Sequence, residues 1–220
     1  MTFRLFIDSA LPAEWEIGRN RGWLHGVTTN PLLIARAGRR VEIAVAAELA
    51  AAARERNLAE IQLQVTGDSA EAMCANGRAL AALWPHVTVK VPATAAGFAA
   101  AGLLCREGAA VTITACYTAH QTLLAASIGA RYVAPYYGRM LEAGIDADQR
   151  LDAMQRIAAR AGNLAVLVAS LRSLDQLETL AGRGFDTFTL TPNLADQLGQ
   201  AAESDAAAAE FTKAAANSLK

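Results

Sequence analysis

The residue best placed to do chemistry is Lys90. Of the 20 basic side chains only Lys90, Lys213 and Lys220 are lysines, so the chain builds its cationic surface from 17 arginines and keeps one lysine in its interior stretch. Lys90 lies in Val87-Thr88-Val89-Lys90-Val91-Pro92, a β-branched run that favours a strand. Apolar neighbours withdraw water from an ammonium group and lower its pKa. The neutral amine is the form that attacks a carbonyl carbon to give a Schiff base. The alternative is a lysine on an exposed strand edge, reaching out to water. Asp8 ends an apolar run and has two readings. It is either a buried carboxylate acting as acid, base or partner to the lysine, or the N-cap of a helix starting near Leu11.

Further polar residues fall where strands should end. Gly26-Val27-Thr28-Thr29-Asn30-Pro31 offers hydroxyls and an amide suited to a polyhydroxylated ligand, although Thr and Asn before Pro are also ordinary turn and cap residues. Tyr136 and Arg139 follow one apolar run, and Ser170 and Arg172 follow the next. Arginines beside hydroxyl and backbone donors can hold a phosphate through charge-assisted hydrogen bonds, or can simply be solvated loop residues. His25, His86 and His120 do not converge with carboxylates at any strand end, so a metal-dependent mechanism is not expected. Cys74, Cys105 and Cys116 lack metal-ligand spacing, and Cys116 has no evident activating partner; all three read as packed thiols.

The elements that must position these residues alternate. Strand-like runs occupy Phe3–Asp8, Gly26–Thr29, Ile61–Thr66, Val87–Val91, Val111–Thr114, Tyr132–Pro135, Ala165–Ser170 and Thr187–Leu190. Helical periodicity marks Val41–Arg56, Ser69–Leu83, Ala95–Arg106, Thr118–Ile128, Ala147–Ala161 and Ser173–Leu180, and the tail from Pro192 to Leu219 reads as one short and one longer helix. Eight strands alternating with helices predict an α/β fold, a single (β/α)8 TIM barrel over 1–220 with an extra C-terminal helix at about 205–218. An open doubly wound sheet would want a Gly-rich turn after the first strand, where Asp8-Ser9-Ala10 stands instead. Strand parity separates Val87, Val89 and Val91 from Thr88 and Lys90, and Ile61, Leu63 and Val65 from Gln62, Gln64 and Thr66. With the apolar sets under the helices, the interior should be unusually polar, and its last inward residues should ring the C-terminal mouth where barrel enzymes work.

Composition narrows the function classes. The 220 residues are 53% hydrophobic and 19% charged with a net charge of −1, which argues against a nucleic-acid surface or a basic membrane patch. No apolar run approaches the roughly 18–20 residues that cross a bilayer, and the start MTFRLFIDSA lacks signal-peptide character. A cytoplasmic location is the expectation.

These motifs resemble the small transaldolase-like class I aldolases, and within them the fructose-6-phosphate aldolases of bacteria. The resemblance spans nearly the whole chain. It rests on GVTTNPLLI at 26–34 and VTVKVPATAAG at 87–97, supported by FIDSA at 6–10, LQV at 63–65, YVAPYYGR at 132–139 and VASLR at 168–172. It implies that Lys90 forms the Schiff base and that Asp8 takes the C4 hydroxyl proton as the C3–C4 bond of a ketose phosphate breaks. It also implies that a water held by Gln64, Thr114 and Tyr136 protonates the remaining enamine. Thr28 and Asn30 would bind donor hydroxyls, and Arg139, Ser170 and Arg172 the phosphate. No metal or organic cofactor is implied; the partner is a small sugar phosphate, and a ring-shaped homo-oligomer, a pentamer or decamer, is expected. Transaldolases are expected to carry Glu and Phe where this chain has Gln64 and Tyr136, so the resemblance points to cleavage of fructose 6-phosphate into dihydroxyacetone and glyceraldehyde 3-phosphate. Leu32 and Gly138 depart from that pattern. The alternatives are a transaldolase that passes the three-carbon unit to an aldose, and a silent sugar-phosphate-binding barrel.

Overall fold

In the computed structural model, which describes residues 3–218, each β-branched run becomes a strand of one closed parallel barrel. The strands are β1 (Arg4–Asp8), β2 (Leu24–Thr28), β3 (Glu60–Gln64), β4 (Val87–Pro92), β5 (Val111–Cys116), β6 (Tyr132–Pro135), β7 (Ala165–Val168) and β8 (Thr187–Leu190). They pair in chain order, and β8 closes on β1. The helices are α1 (Pro12–Asn20), α2 (Pro31–Arg36), α3 (Ile43–Glu55), α4 (Ala70–Ala81), α5 (Ala95–Arg106), α6 (Ala119–Ser127), α7 (Tyr137–Glu142), α8 (Ala147–Ala161), α9 (Leu174–Gly182), α10 (Pro192–Gln197) and α11 (Ala202–Ser218). The expected TIM barrel with a C-terminal helix is therefore the observed architecture. The expected tail end at Leu219, and Lys220, lie outside the described residues. No helix among the described residues is long and apolar enough to cross a membrane.

Several helix starts follow from capping. Ser69, Thr94 and Ser173 each accept a backbone N–H three residues on through their side chains, satisfying one of the orphan donors of the first turn. In α8, Asp146 does the same for Gln149, and Leu151, Met154 and Ala158 form the buried stripe.

The main core lies between barrel and helices. Val89, Val91, Ile113 and Val133 from the strands meet Leu49, Leu104 and Leu151 from the helices, all with essentially no exposure. Truncating one of these to alanine costs about 2–5 kcal/mol through the lost burial and the cavity left behind.

Inside the barrel, the expected polarity is confined to part of the lumen. The β2–β5 sector is polar, with buried Thr28, Glu60, Gln62, Lys90, Thr112 and Thr114. The β6, β7 and β1 sector is apolar, with Phe6, Tyr132, Ala134 and Leu167 forming a second cluster. Phe6 shares the parity of Asp8 on β1, and its ring fills the space that Gly26 leaves: a Cβ on Gly26 would stand 2.3 Å from the Glu60 carbonyl oxygen and 3.1 Å from the Phe6 ring. The floor of the barrel is a closed polar network. Glu60 accepts from the Tyr132 hydroxyl (2.9 Å) and from Gln62 (2.7 Å), and Thr112 donates to Gln62 (2.9 Å). His25 belongs to this floor, within 3.9 Å of Glu60 and edge-on to Phe6.

Candidate functional site

The C-terminal ends of the strands surround a cavity of about 300 Å³. Lys90 reaches it from β4. Its side chain is 5% exposed, and its Nζ donates to the carbonyl oxygen of Thr29 at 2.9 Å. Burial pushes its pKa below the ordinary lysine value, opposed in smaller part by the negative charge of Asp8. An amine so placed is held toward its nucleophilic form.

Asp8, at the end of β1, does not cap α1, whose N-cap is Leu11. It accepts a hydrogen bond from the Thr28 hydroxyl at 2.7 Å. Thr28 Oγ1 lies 2.7 Å from Thr189 Oγ1, and since a hydroxyl carries one proton, Thr189 donates to Thr28 while Thr28 donates to Asp8. This chain of hydroxyls fixes the orientation of the carboxylate at the mouth that Lys90 also lines. Asn30 does both things the sequence allowed: it lines the cavity, and its Oδ1 accepts the Leu33 N–H as N-cap of α2.

The opposite wall carries a phenol. Tyr136 Oη and Thr114 Oγ1 are 3.2 Å apart, and Tyr136 packs edge-on to Tyr117. Burial raises the Tyr136 pKa, with the Thr114 hydrogen bond working against it, so the hydroxyl keeps its proton at neutral pH. The register of β5 shifts between Thr114 and Cys116, where Ala115 adopts φ +58°. A left-handed non-glycine residue costs on the order of 1–3 kcal/mol, a strain that collects at functional sites. Ser170, at φ +67° just beyond β7, carries the same strain on the cavity rim.

Arg139 and Arg172 stand beside Ser170. The Arg139 guanidinium lies 4.8 Å from the Tyr136 ring centroid, and Arg172 Nε pairs with Glu142 at 2.8 Å. Gly138 makes this corner possible. Its N–H donates to the Ser170 carbonyl at 3.1 Å, and a Cβ there would sit 2.1 Å from that oxygen.

Nine of the ten residues singled out in the sequence thus line one cavity: Asp8, Thr28, Asn30, Lys90, Thr114, Tyr136, Arg139, Ser170 and Arg172. Gln64 is the exception. It is the register partner of Lys90, but it lines a narrow cleft beside Ile34 and Asn76, and its buried Oε1 has no hydrogen-bond partner among the described residues. Sequence reasoning missed Thr189, whose alternation with Thr187 and Thr191 was its only signal, and Arg36, Leu32 and Leu33 of α2. The Cys116 thiol is pushed up to about 12 by burial, the state of a packed thiol rather than a nucleophile. Among the described residues no group of three or more His, Cys, Asp or Glu could hold a metal ion.

A buried lysine and a carboxylate thus stand in the mouth of an eight-stranded barrel, facing an arginine-rich rim. Residues 5–220 match the family described as Transaldolase/Fructose-6-phosphate aldolase, and the chain belongs to it. Similar proteins include one named "Probable transaldolase" in Dinoroseobacter shibae, 32% identical over 209 residues that cover 94% of each chain. Proteins of the same name in Maricaulis maris (35%, covering 87% of this chain and 86% of that one) and Rhodospirillum centenum (36%, covering 89% and 83%) are comparable.

Proposed function

We propose that this chain is a transaldolase, moving a dihydroxyacetone unit from a ketose phosphate to an aldose phosphate through a Schiff base on Lys90. The names carried by its relatives favour transfer over simple cleavage. The observation that carries the chemistry is the Lys90 amine, buried, held toward its neutral form and set within the field of Asp8. The amine adds to the C2 carbonyl, and loss of water leaves a cationic imine. Asp8 takes the C4 hydroxyl proton, the C3–C4 pair collapses into the imine, and an aldose phosphate leaves. The enamine then adds through C3 to a second aldose carbonyl, whose oxygen takes the proton back from Asp8; water releases the new ketose. Thr28 and Asn30 bind donor hydroxyls, and Arg139, Ser170 and Arg172 bind the phosphate.

A second reading, fructose 6-phosphate cleavage, is favoured by Tyr136. A protonated phenol 3.2 Å from the Thr114 hydroxyl could protonate the enamine and release dihydroxyacetone before an acceptor arrives. Gln64, which the resemblance adds to this pair, contributes only if its side chain turns from its cleft into the cavity. Fructose 6-phosphate supplied alone separates the two readings. A stoichiometric burst of glyceraldehyde 3-phosphate, with turnover only on adding a four-carbon aldose phosphate, supports transfer, whereas sustained release without acceptor supports the lyase. A cytoplasmic location and a homo-oligomer accompany either reading; Phe211, 72% exposed on α11, supports docking of that helix on a neighbouring subunit.

A further inference from the structure

Threonines alternate along β8 and just past it, at Thr187, Thr189 and Thr191, and two of them have structural duties. Thr187 donates to the Asp186 carboxylate at 2.7 Å, and Thr191 accepts the Leu194 N–H as the N-cap of α10. Thr189 has neither duty. It is buried, it lines the cavity, and among the described residues its side chain makes one hydrogen bond, to the Thr28 hydroxyl at 2.7 Å.

That contact joins two strands that are not neighbours. β2 and β8 flank β1, with Thr28 the register partner of Asp8 and Thr189 the register partner of Phe6. Phe6 and Asp8 share one parity, so the two hydroxyls meet in the lumen beside the end of β1. Both belong to β-branched side chains with few rotamers, which leaves each oxygen little freedom once the backbone is set.

The protons then have one arrangement with Asp8 ionised. A carboxylate only accepts, so the single Thr28 proton goes to Asp8 Oδ1. The Thr189 proton serves Thr28 Oγ1, which would otherwise be a buried acceptor without a donor among the described residues. A hydroxyl that accepts a hydrogen bond is polarised and donates more strongly. Asp8 Oδ2 has no hydrogen bond among the described residues, so a tether on Oδ1 leaves Oδ2 as the oxygen free to exchange a proton.

We propose that Thr189 is a positioning residue for Asp8: acting through Thr28, it holds Oδ1 and so aims Oδ2 at the proton that moves when the C3–C4 bond breaks or forms. The inference rests on the proposed function. There, Oδ2 takes the C4 hydroxyl proton, the O–H pair becomes the carbonyl of the leaving aldose, and the C3–C4 pair passes into the imine; bond formation is the reverse. Transfer and simple cleavage share that step, so the role of Thr189 is the same in either.

The test compares two reactions in the wild type, Thr189→Val and Thr189→Ser. Valine keeps the branched shape and the strand preference and removes the hydroxyl, whereas serine keeps the hydroxyl. Turnover of fructose 6-phosphate with a four-carbon aldose phosphate present needs Asp8. Imine formation from dihydroxyacetone, trapped on Lys90 by borohydride, breaks no carbon–carbon bond, and the proposed reaction gives Asp8 no part in it. The expected result for Thr189→Val is a kcat about tenfold lower, the worth of one ordinary hydrogen bond, at nearly unchanged KM. Thr189→Ser should recover most of that loss, and dihydroxyacetone should be trapped at the wild-type rate in both variants. An unchanged kcat, a loss confined to KM, no recovery with serine, or equally slowed trapping would each overturn the proposal. Trapping in the wild type tells that failure from failure of the Schiff-base reading. A normal wild-type adduct with an unchanged kcat in Thr189→Val removes only the role of Thr189, whereas no wild-type adduct removes the reaction and the proposal with it.

Discussion

Replacing Tyr136 by phenylalanine probes the balance between cleavage and transfer more sharply than removing the lysine. The substitution deletes one hydroxyl that keeps its proton at neutral pH and lies 3.2 Å from Thr114 Oγ1. Delivery of a proton by a positioned side chain contributes about 10²–10⁴-fold, and the lower end, about 2.7 kcal/mol, suits a residue that can be partly replaced by water at an open mouth. Thr114 is 1% exposed and loses its partner, a cost of about 1–2 kcal/mol that lowers the melting temperature by roughly 2–8 °C. The assay follows glyceraldehyde 3-phosphate release from fructose 6-phosphate with and without an aldose phosphate acceptor. Release without acceptor should fall about 100-fold, while transfer falls far less, because carbon–carbon bond formation from the enamine uses Asp8 rather than the phenol. Equal losses in both assays, or none in either, would refute the assignment of the enamine proton to Tyr136.

Two further outcomes follow from the geometry. Lys90→Met should abolish turnover and leave the barrel folded. Because burial lowers the folded pKa of Lys90, the unfolded chain binds the extra proton between the folded value and about 10.4, and wild-type stability gains with pH across that window. The melting temperature of Lys90→Met relative to wild type should therefore become steadily less favourable as pH rises towards 10, and a pH-independent difference would contradict the burial. Gly138→Ala places a methyl group 2.1 Å from the Ser170 carbonyl oxygen, so it should cost about 1–3 kcal/mol by overpacking and raise KM for fructose 6-phosphate; calorimetry and kinetics unchanged from wild type would contradict the close approach.

The strands were legible because their signal is local. Tyr132–Pro135 and Thr187–Leu190 coincide with β6 and β8, and Ala95–Arg106 and Ala147–Ala161 with α5 and α8. These stretches combine β-branched or helical periodicity with clear caps. The short helices α2 and α7 were not, since six residues span less than two turns and show no periodicity, although Asn30 caps α2 with Pro31 at its start. That omission is why Arg36 escaped notice. Parity located Lys90 and Gln62 on the inner face, yet could not foresee that Phe6, Tyr132, Ala134 and Leu167 would make one sector of the lumen apolar. Nor could it say which cavity Gln64 would enter at the rim, where the pleat ends and side-chain direction depends on the packing of α2 and α3.

The most direct measurement is borohydride reduction in the presence of fructose 6-phosphate, followed by peptide mass mapping. A reduced three-carbon adduct on the peptide containing Lys90, absent from Lys90→Met, is the predicted result: it requires an imine at that amine and a break between C3 and C4. An adduct on Lys213, an adduct that survives in Lys90→Met, or no adduct while fructose 6-phosphate is consumed would contradict the assignment of the reaction to the buried lysine.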